Sequence, residues 1–425
     1  MRNESKLLLV LVVGSALTGI SLAQGEDVLD VQATPSLPGS VPTSVFKLDQ
    51  DGGFVAFGYV RDVGNTTGCA ALIPATGAGT RFMWDPCRGS VRFGRVPVGQ
   101  TNWDDANMDD FTFAGGNQVV ASGYGAFSYG DQVTVSSTVG VGFGSGITVS
   151  GTAGFSAGAS NVCSGFACTA MGYTAAATGQ GSVSLGYRTG AIGDYTVALG
   201  YRAQTCAGTV ISGVCDSIFY TGAFIWADES STNFFKASAD NQFSIRAAGG
   251  VRMYTNAATT TGVFLSAGGS SWNVISDRNL KENFRVVDGE SLLDRIAQLP
   301  LSTWRFKDAP DSTVHHIGPV AQDWQQFIAG PLALNSDSTV INQGDFDGVN
   351  LAAVKALERR TRELEAENER MRAEISALRQ TLSDQCVKAE AIQQTLAAQL
   401  ARLEAAYERL ATRTERAAAE LPADR

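Results

Sequence analysis

Two periodic patterns of small, apolar and polar positions divide the chain. In the first, glycine recurs every fourteen residues, at Gly116, Gly130, Gly144, Gly158, Gly172, Gly186 and Gly200. A second series, Gly151, Gly165, Gly179 and Gly193, runs half a period out of step. Small residues alternate with larger ones before several main-series glycines, as in Ser156-Ala157-Gly158 and Ser184-Leu185-Gly186. Alternation with a period of two predicts strands. Glycine at a fixed interval predicts tight turns, where positive φ carries no steric cost. A fourteen-residue unit is too short for a propeller blade and suits one coil of a β-solenoid, whose coils bury a face only by stacking.

The second pattern begins near Asn350 and has a period of seven. Val354, Thr361, Asn368, Ile375, Leu382, Ala389, Leu396, Leu403 and Leu410 form one line of the heptad. Leu357, Leu364, Met371, Leu378, Gln385, Ile392 and Gln399 form the other, with charged residues such as Glu363, Glu365 and Arg370 between. This predicts a coiled coil over 350–418. Asn368 in the seam costs stability and can fix register and strand number. The seam alone does not decide how many chains associate.

Shorter strands are predicted on either side of the repeat. Phe54-Val55-Ala56-Phe57 and Ser90-Val91-Arg92-Phe93 make residues 24–115 a β-rich lead-in. Ala223 to Asp228, Asn241 to Arg246 and Val251 to Tyr254 make 206–275 a β neck. Asp49-Gln50-Asp51-Gly52 reads as a hairpin turn, since the remaining ligands of a calcium loop are missing. Asn65-Thr66-Thr67 is a glycosylation triplet, a pattern that chance also produces.

Composition sharpens the division. Charged residues make up about 11% of residues 1–275 and about 29% of 276–425. The net charge of −10 argues against nucleic-acid binding, which would need a basic patch. At the N-terminus, Arg2 and Lys6 precede the apolar run Leu7 to Leu17 and the small-x-small pattern Ser21-Leu22-Ala23. This predicts a signal peptide over 1–23, and an exported, extracellular or surface location. The run is short for the alternative, an uncleaved membrane span. Seven cysteines fit an exported chain. Six are near neighbours (Cys69 and Cys87, Cys163 and Cys168, Cys206 and Cys215), but fifteen pairings are possible and sequence does not choose. Cys386 stands alone in the helical tail. Neither a metal site nor a cofactor is expected.

Candidate chemistry lies at the junction, in Ser276-Asp277-Arg278-Asn279-Leu280-Lys281. A serine beside a lysine can be a nucleophile with its base, provided that burial or a nearby cation lowers the lysine pKa. Taken alone, a Ser and a Lys five apart fit an ordinary polar loop better. Gly154-Phe155-Ser156-Ala157-Gly158 matches the G-x-S-x-G elbow of hydrolases, but Ser156 is one of a series of equivalent small residues with no helix following. Asp104, Asp105, Asp109 and Asp110 read as a solvated loop, and His315 with His316 as structural or interface residues.

The repeat at about 116–205, with its small-x-Gly units, resembles the heads of YadA-type trimeric autotransporter adhesins. That resemblance implies a left-handed parallel β-roll with three chains around one axis. The chain departs from that family at its C-terminal side, where nothing after residue 276 reads as a membrane barrel anchor.

The junction resembles the start of the peptidase S74 module, the intramolecular chaperone of phage tail spikes and endosialidases, also found in a membrane-anchored transcription factor of myelinating cells. Three further landmarks follow in order: Leu299-Pro300-Leu301-Ser302-Thr303-Trp304-Arg305-Phe306, His316-Ile317-Gly318-Pro319-Val320-Ala321-Gln322-Asp323, and Asn350 to Leu357. Pro319 departs from the aliphatic or aromatic residue usual there. The resemblance implies a chaperone and autopeptidase module over 276–349. Ser276 would attack the carbonyl of Ile275, Lys281 would take its proton, and Asp277 would orient the segment. Cleavage between Ile275 and Ser276 would follow assembly of a homotrimer. The expected molecule is mainly β, with a trimeric solenoid, a small mixed α/β chaperone module and a long coiled-coil helix. Two rivals remain: an adhesin or receptor-binding fibre with an uncut stalk, and an enzyme acting on external polymers, for which the head offers no carboxylate cluster.

Overall fold

The computed structural model describes residues 75–419 apart from 209, 212–213, 309–310, 312 and 335–336, together with four strands before residue 75. The glycosylation triplet, the turn at 50–52 and most of the expected signal peptide lie outside the described residues, as does Cys69. The four early strands form one antiparallel sheet: Leu17–Ser21, Asp27–Ala33, Thr43–Asp49 and Phe54–Ala56. The chain divides into two compact units, residues 1–273 and 274–425.

The first unit is a solenoid of about seven coils. Each coil contributes a five-residue strand and a two-residue strand, as in Val141–Ser145 and Thr148–Val149. The long strands stack in parallel with a register shift of fourteen: Val141 pairs with Phe127 on one side and Phe155 on the other. The short strands stack likewise, so two parallel sheets enclose a narrow core. The second residue of each long strand points inward and is small; Ala114, Ser128, Ser156, Ala170, Ser184 and Ala198 are all fully buried. Val133, Val135, Ile147 and Val149 fill the opposite wall, and full burial of such a side chain is worth about 1.5–3 kcal/mol.

The glycine spacing is observed, but its local role differs from the expected tight turn. Gly144 is the fourth residue of its strand, with φ +132, and a Cβ there would lie 1.9 Å from the Gly158 carbonyl oxygen of the next coil. The series is thus fixed by contact between coils as well as by φ. The corners themselves are turned by residues with side chains: Gln118, Gln132, Ser160, Thr174, Arg188 and Arg202 all have φ near +55.

The sheet continues beyond the repeat in both directions. The antiparallel hairpin Gly79–Asp85 and Ser90–Val96 precedes it, the second strand pairing in parallel with Phe113–Asn117. Trp103, Met83, Val96 and Met108 form a small core there, and the Trp103 indole N–H donates to the Val119 carbonyl at 2.9 Å. Arg92 is fully buried, donating to the Thr112 hydroxyl at 2.7 Å and the Ala121 carbonyl at 3.0 Å. Burial pulls its pKa down to about 10, which leaves it cationic at neutral pH. The aspartates expected in a solvated loop are engaged instead: Asp105 pairs with Arg88, Asp104 accepts from the Gly77 amide, and Asp110 is buried. At the other end Phe224–Ala227 and Phe243–Arg246 add two further rungs.

Cys163 bonds to Cys168 inside the solenoid, and Cys206 to Cys215 across a hairpin that interrupts the coil between Gln204 and Phe224. Cys87 is also disulfide-bonded. A three-stranded sheet, Val251–Tyr254, Gly262–Leu265 and Trp272–Val274, follows.

The second unit contains α1 (Gly289–Gln298), a hairpin of Ser302–Trp304 with His316–Gly318, α2 (Ala321–Trp324) running into a π turn at Gln325–Ala329, and α3 (Gln343–Ala419). Asp288 caps α1 by accepting from the amides of Glu290 and Ser291 at 3.1 and 3.3 Å. Leu292, Trp324, Ile328, Ala329 and Val349 form its core. Gly289 lets α1 approach α3, where an added Cβ would meet the Ala356 Cβ at 2.7 Å. Beyond Ala356, α3 is one uninterrupted exposed helix. No helix among the described residues is long and apolar enough to cross a membrane.

Candidate functional site

The segment after Ile275 is a short polar turn whose shape follows from its sequence. Asp277 is extended (φ −68, ψ 132) and precedes a three-residue 3-10 turn, Arg278–Leu280. Aspartate two residues before asparagine favours such an Asx turn. The Asp277 carboxylate accepts from the Asn279 amide at 2.8 Å and from the Asn279 side chain at 3.1 Å. The Leu280 amide donates to the Asp277 carbonyl at 3.2 Å, and the Lys281 amide to the Arg278 carbonyl at 3.1 Å.

This turn reverses the chain, and the Lys281 Nζ donates to the Ser276 Oγ. Ser276, Asp277 and Lys281 therefore come together, with the Asp277 carboxylate holding the turn through Asn279. The Arg278 guanidinium lies over the Phe284 ring, 4.6 Å from its centre. Ser276 through Asp288 is exposed in the single chain, and Ile275 is half-buried. A serine hydroxyl accepting from an amine can be deprotonated by it only when the amine is neutral, which requires burial or a nearby cation.

The other candidates separate from this site. Ser156 is fully buried in a solenoid strand. His316 stacks on Trp304 with ring centres 4.8 Å apart, and the His315 Nδ1 lies 3.1 Å from the Thr313 carbonyl. Among the described residues no hydrogen bond joins either histidine to Ser276. Cys386 is an exposed free thiol on α3.

Two features were not anticipated from sequence. Asn279 braces Asp277 from two atoms, a contact that the Asp-x-Asn spacing does make readable. Glu290 in the first turn of α1 accepts from Arg359 and Arg360 of α3, each at 2.5 Å. Two guanidiniums, Arg359 first and then Arg360, hold its carboxyl below the usual range. No local signal links residues this far apart.

Two family profiles match the chain. That of the chaperone of endosialidase, peptidase S74, covers residues 276–330 and so begins at Ser276. The YadA head domain repeat matches in two copies over residues 169–189. Searched against curated proteins, the chain finds no match. A YadA-type head repeat on a β-solenoid and an S74-type chaperone segment therefore occur in one chain, ahead of a long C-terminal helix.

Proposed function

We propose that this chain forms an exported, surface-displayed homotrimeric fibre, and that its C-terminal module assembles the trimer and then cuts the chain between Ile275 and Ser276. The observation that carries the reading is the hydrogen bond from Lys281 Nζ to Ser276 Oγ, at the first residue of the segment matched by the chaperone profile. Residues 1–23 direct export, and the boundaries at 115, 205, 275 and 349 separate lead-in, head, neck, chaperone module and coiled coil.

The α3 helix supports the assembly step. Its heptad residues Leu364, Ile375 and Leu378 are 59, 49 and 62% exposed in the single chain. Association of three copies covers that line and raises the local concentration of the slow-folding β segments. The outward positions of the long strands in the first coils, such as Phe127 and Tyr129, add a second partly apolar surface. Exposure of Ser276 and Lys281 in one chain fits a delay, because neighbouring copies supply the burial that a lysine base requires.

In the cut itself, Ser276 Oγ adds to the Ile275 carbonyl carbon while its proton passes to neutral Lys281. The carbon–nitrogen bond breaks, the nitrogen takes that proton, and an ester to Ser276 remains. Water then hydrolyses the ester, leaving an Ile275 carboxylate and restoring the serine hydroxyl. Removal of the scaffold leaves a product that cannot readily refold, which is kinetic stability.

The intact mass of the expressed chain tests this reading, beside Ser276→Ala and Lys281→Ala. Two fragments from wild type, split after Ile275, with both variants whole, is the expected result. An uncut wild type that is still trimeric removes the peptidase activity and leaves an adhesin-like fibre on a permanent stalk.

A further inference from the structure

The fifth position of each long strand faces outward, and down the solenoid this line changes character. It is Ser145 and Ala159 in the middle coils and Tyr173, Tyr187 and Tyr201 in the later ones. The three tyrosine rings form a ladder. Tyr173 and Tyr187 are 5.3 Å apart at 13°, and Tyr187 and Tyr201 are 5.1 Å apart at 7°. That spacing follows from the separation of neighbouring strands, about 4.7–4.9 Å.

The ladder stops abruptly. Tyr173 is 49% exposed, and the rung it would stack on next is occupied by the methyl group of Ala159. Beside Ala159 on the same strand is Ala157, also small, between Phe143 and Met171 of the flanking coils. The last stacked tyrosine thus closes one end of a shelf floored by small side chains.

The corner position beside the ladder carries positive charge. Arg188 follows Tyr187, and its amide donates to the Tyr173 carbonyl at 2.8 Å. Its guanidinium lies 5.8 Å from the Tyr187 ring centre, and Arg202 repeats the arrangement over Tyr201 at 5.4 Å. Among the described residues neither arginine forms a salt bridge with a carboxylate. Arg202 is also held by the Thr232 carbonyl and the Phe234 ring, so on a chain of net charge −10 Arg188 is the cation beside the exposed end of the ladder.

We propose that this shelf binds an acidic sugar: a uronic acid residue of a polysaccharide stacks its flat apolar face on Tyr173 above Ala159, and its carboxylate pairs with Arg188. Ring stacking on tyrosine supplies the contact, and the guanidinium selects for the anion. Nothing in this assignment depends on cleavage at Ser276.

The test is calorimetric titration of the full chain with trigalacturonic acid and with its carboxyl-reduced trisaccharide. The acid is expected to bind, and the reduced sugar to bind several-fold more weakly. Tyr173→Ala should weaken the acid several-fold, up to about tenfold. Arg188→Gln should erase the preference for the acid. Ala159→Phe, which places the chain's own ring on the next rung, should abolish binding while leaving the unfolding temperature unchanged or raised. The Ser276→Ala chain should bind as wild type does. The assignment is overturned if wild type does not bind the acid, or if Tyr173→Ala and Ala159→Phe both bind it unchanged. It is equally overturned if Tyr173→Ala changes the assembly mass in light scattering, because the rung is then taken by a second copy of the chain.

Discussion

The solenoid and α3 solve the same problem in opposite ways. Both are built on a strict period with one small or apolar face. In the solenoid that face is covered by the chain itself: Ala170, Val149 and Ser184 are fully buried, because each coil lies on the next. In α3 the equivalent line, from Val354 to Leu410, is left exposed by the described residues of its own chain. A period of fourteen closes on itself every two strands, whereas a helical heptad can only be closed by another helix. The solenoid core is therefore an intrachain property and the seam an interchain one, and the two should respond to different substitutions.

The largest effect is expected from breaking the seam. Leu364→Asp with Leu378→Asp places a charge in two layers, where even truncation of a buried leucine costs about 2–5 kcal/mol per chain. Light scattering should show loss of the assembly, and mass spectrometry an uncut chain, while circular dichroism retains the β signal of the solenoid. An unchanged assembly mass would mean that the helix is not what holds the copies together.

Next in size is the mirror experiment in the solenoid. Gly144→Ala sets a Cβ 1.9 Å from the Gly158 oxygen at φ +132. Strain and overlap together should cost about 3 kcal/mol or more, read as a lower unfolding midpoint with the assembly mass unchanged. Gly99→Ala is the control: it has positive φ but nothing within 4 Å, so it should cost only about 1 kcal/mol. Equal losses at the two sites would contradict the argument that contact between coils fixes the series. A smaller loss, about 2 kcal/mol, is expected for Cys163→Ala with Cys168→Ala, because the bond closes a loop only five residues long.

These experiments also mark what the sequence made legible. Both periods were readable because every coil and every heptad meets the same environment, so the same residue types recur. The corners were not readable, since Gln132, Thr174 and Arg188 at positive φ carry no glycine or asparagine signal. The rungs Phe224–Ala227 and Phe243–Arg246 were read as a neck because insertions break the fourteen-residue spacing, although the backbone pairing continues through them. Arg92 was read as an ordinary strand residue, and its burial depends on carbonyls and a hydroxyl up to twenty-nine residues away. At the candidate site Ser276, Asp277 and Lys281 lie together in one local segment, as their spacing suggests, whereas the bracing of that turn by Asn279 was not anticipated. The surroundings of Ser276 were not legible, because a single chain leaves them open.

The smallest effect should come where the self-contained module passes into the unpaired helix. Glu290 on α1 accepts from Arg359 and Arg360 on α3, and Arg360 also lies 3.8 Å from Asp294. All four side chains are substantially exposed, so screening keeps this contribution small and sensitive to salt. Its pH dependence has a definite sign. The Glu290 carboxyl titrates lower in the folded chain than in the unfolded one, so the stabilisation is present above the unfolded value and is lost as pH falls through the folded value. Glu290→Gln should therefore lower the unfolding midpoint of the C-terminal module slightly at neutral pH and low salt, and the difference from wild type should shrink below about pH 4. High salt should shrink it too. Glu290 also sits at the positive end of α1, where a carboxylate is favoured regardless of the arginines. Arg359→Gln combined with Arg360→Gln separates the two: it leaves that helix-end term intact, so a loss of the acid-dependent difference in this double variant assigns it to the ion pairs. If Arg359→Gln combined with Arg360→Gln behaves as wild type while Glu290→Gln does not, the carboxylate acts through the end of α1, and the contact with α3 contributes nothing measurable.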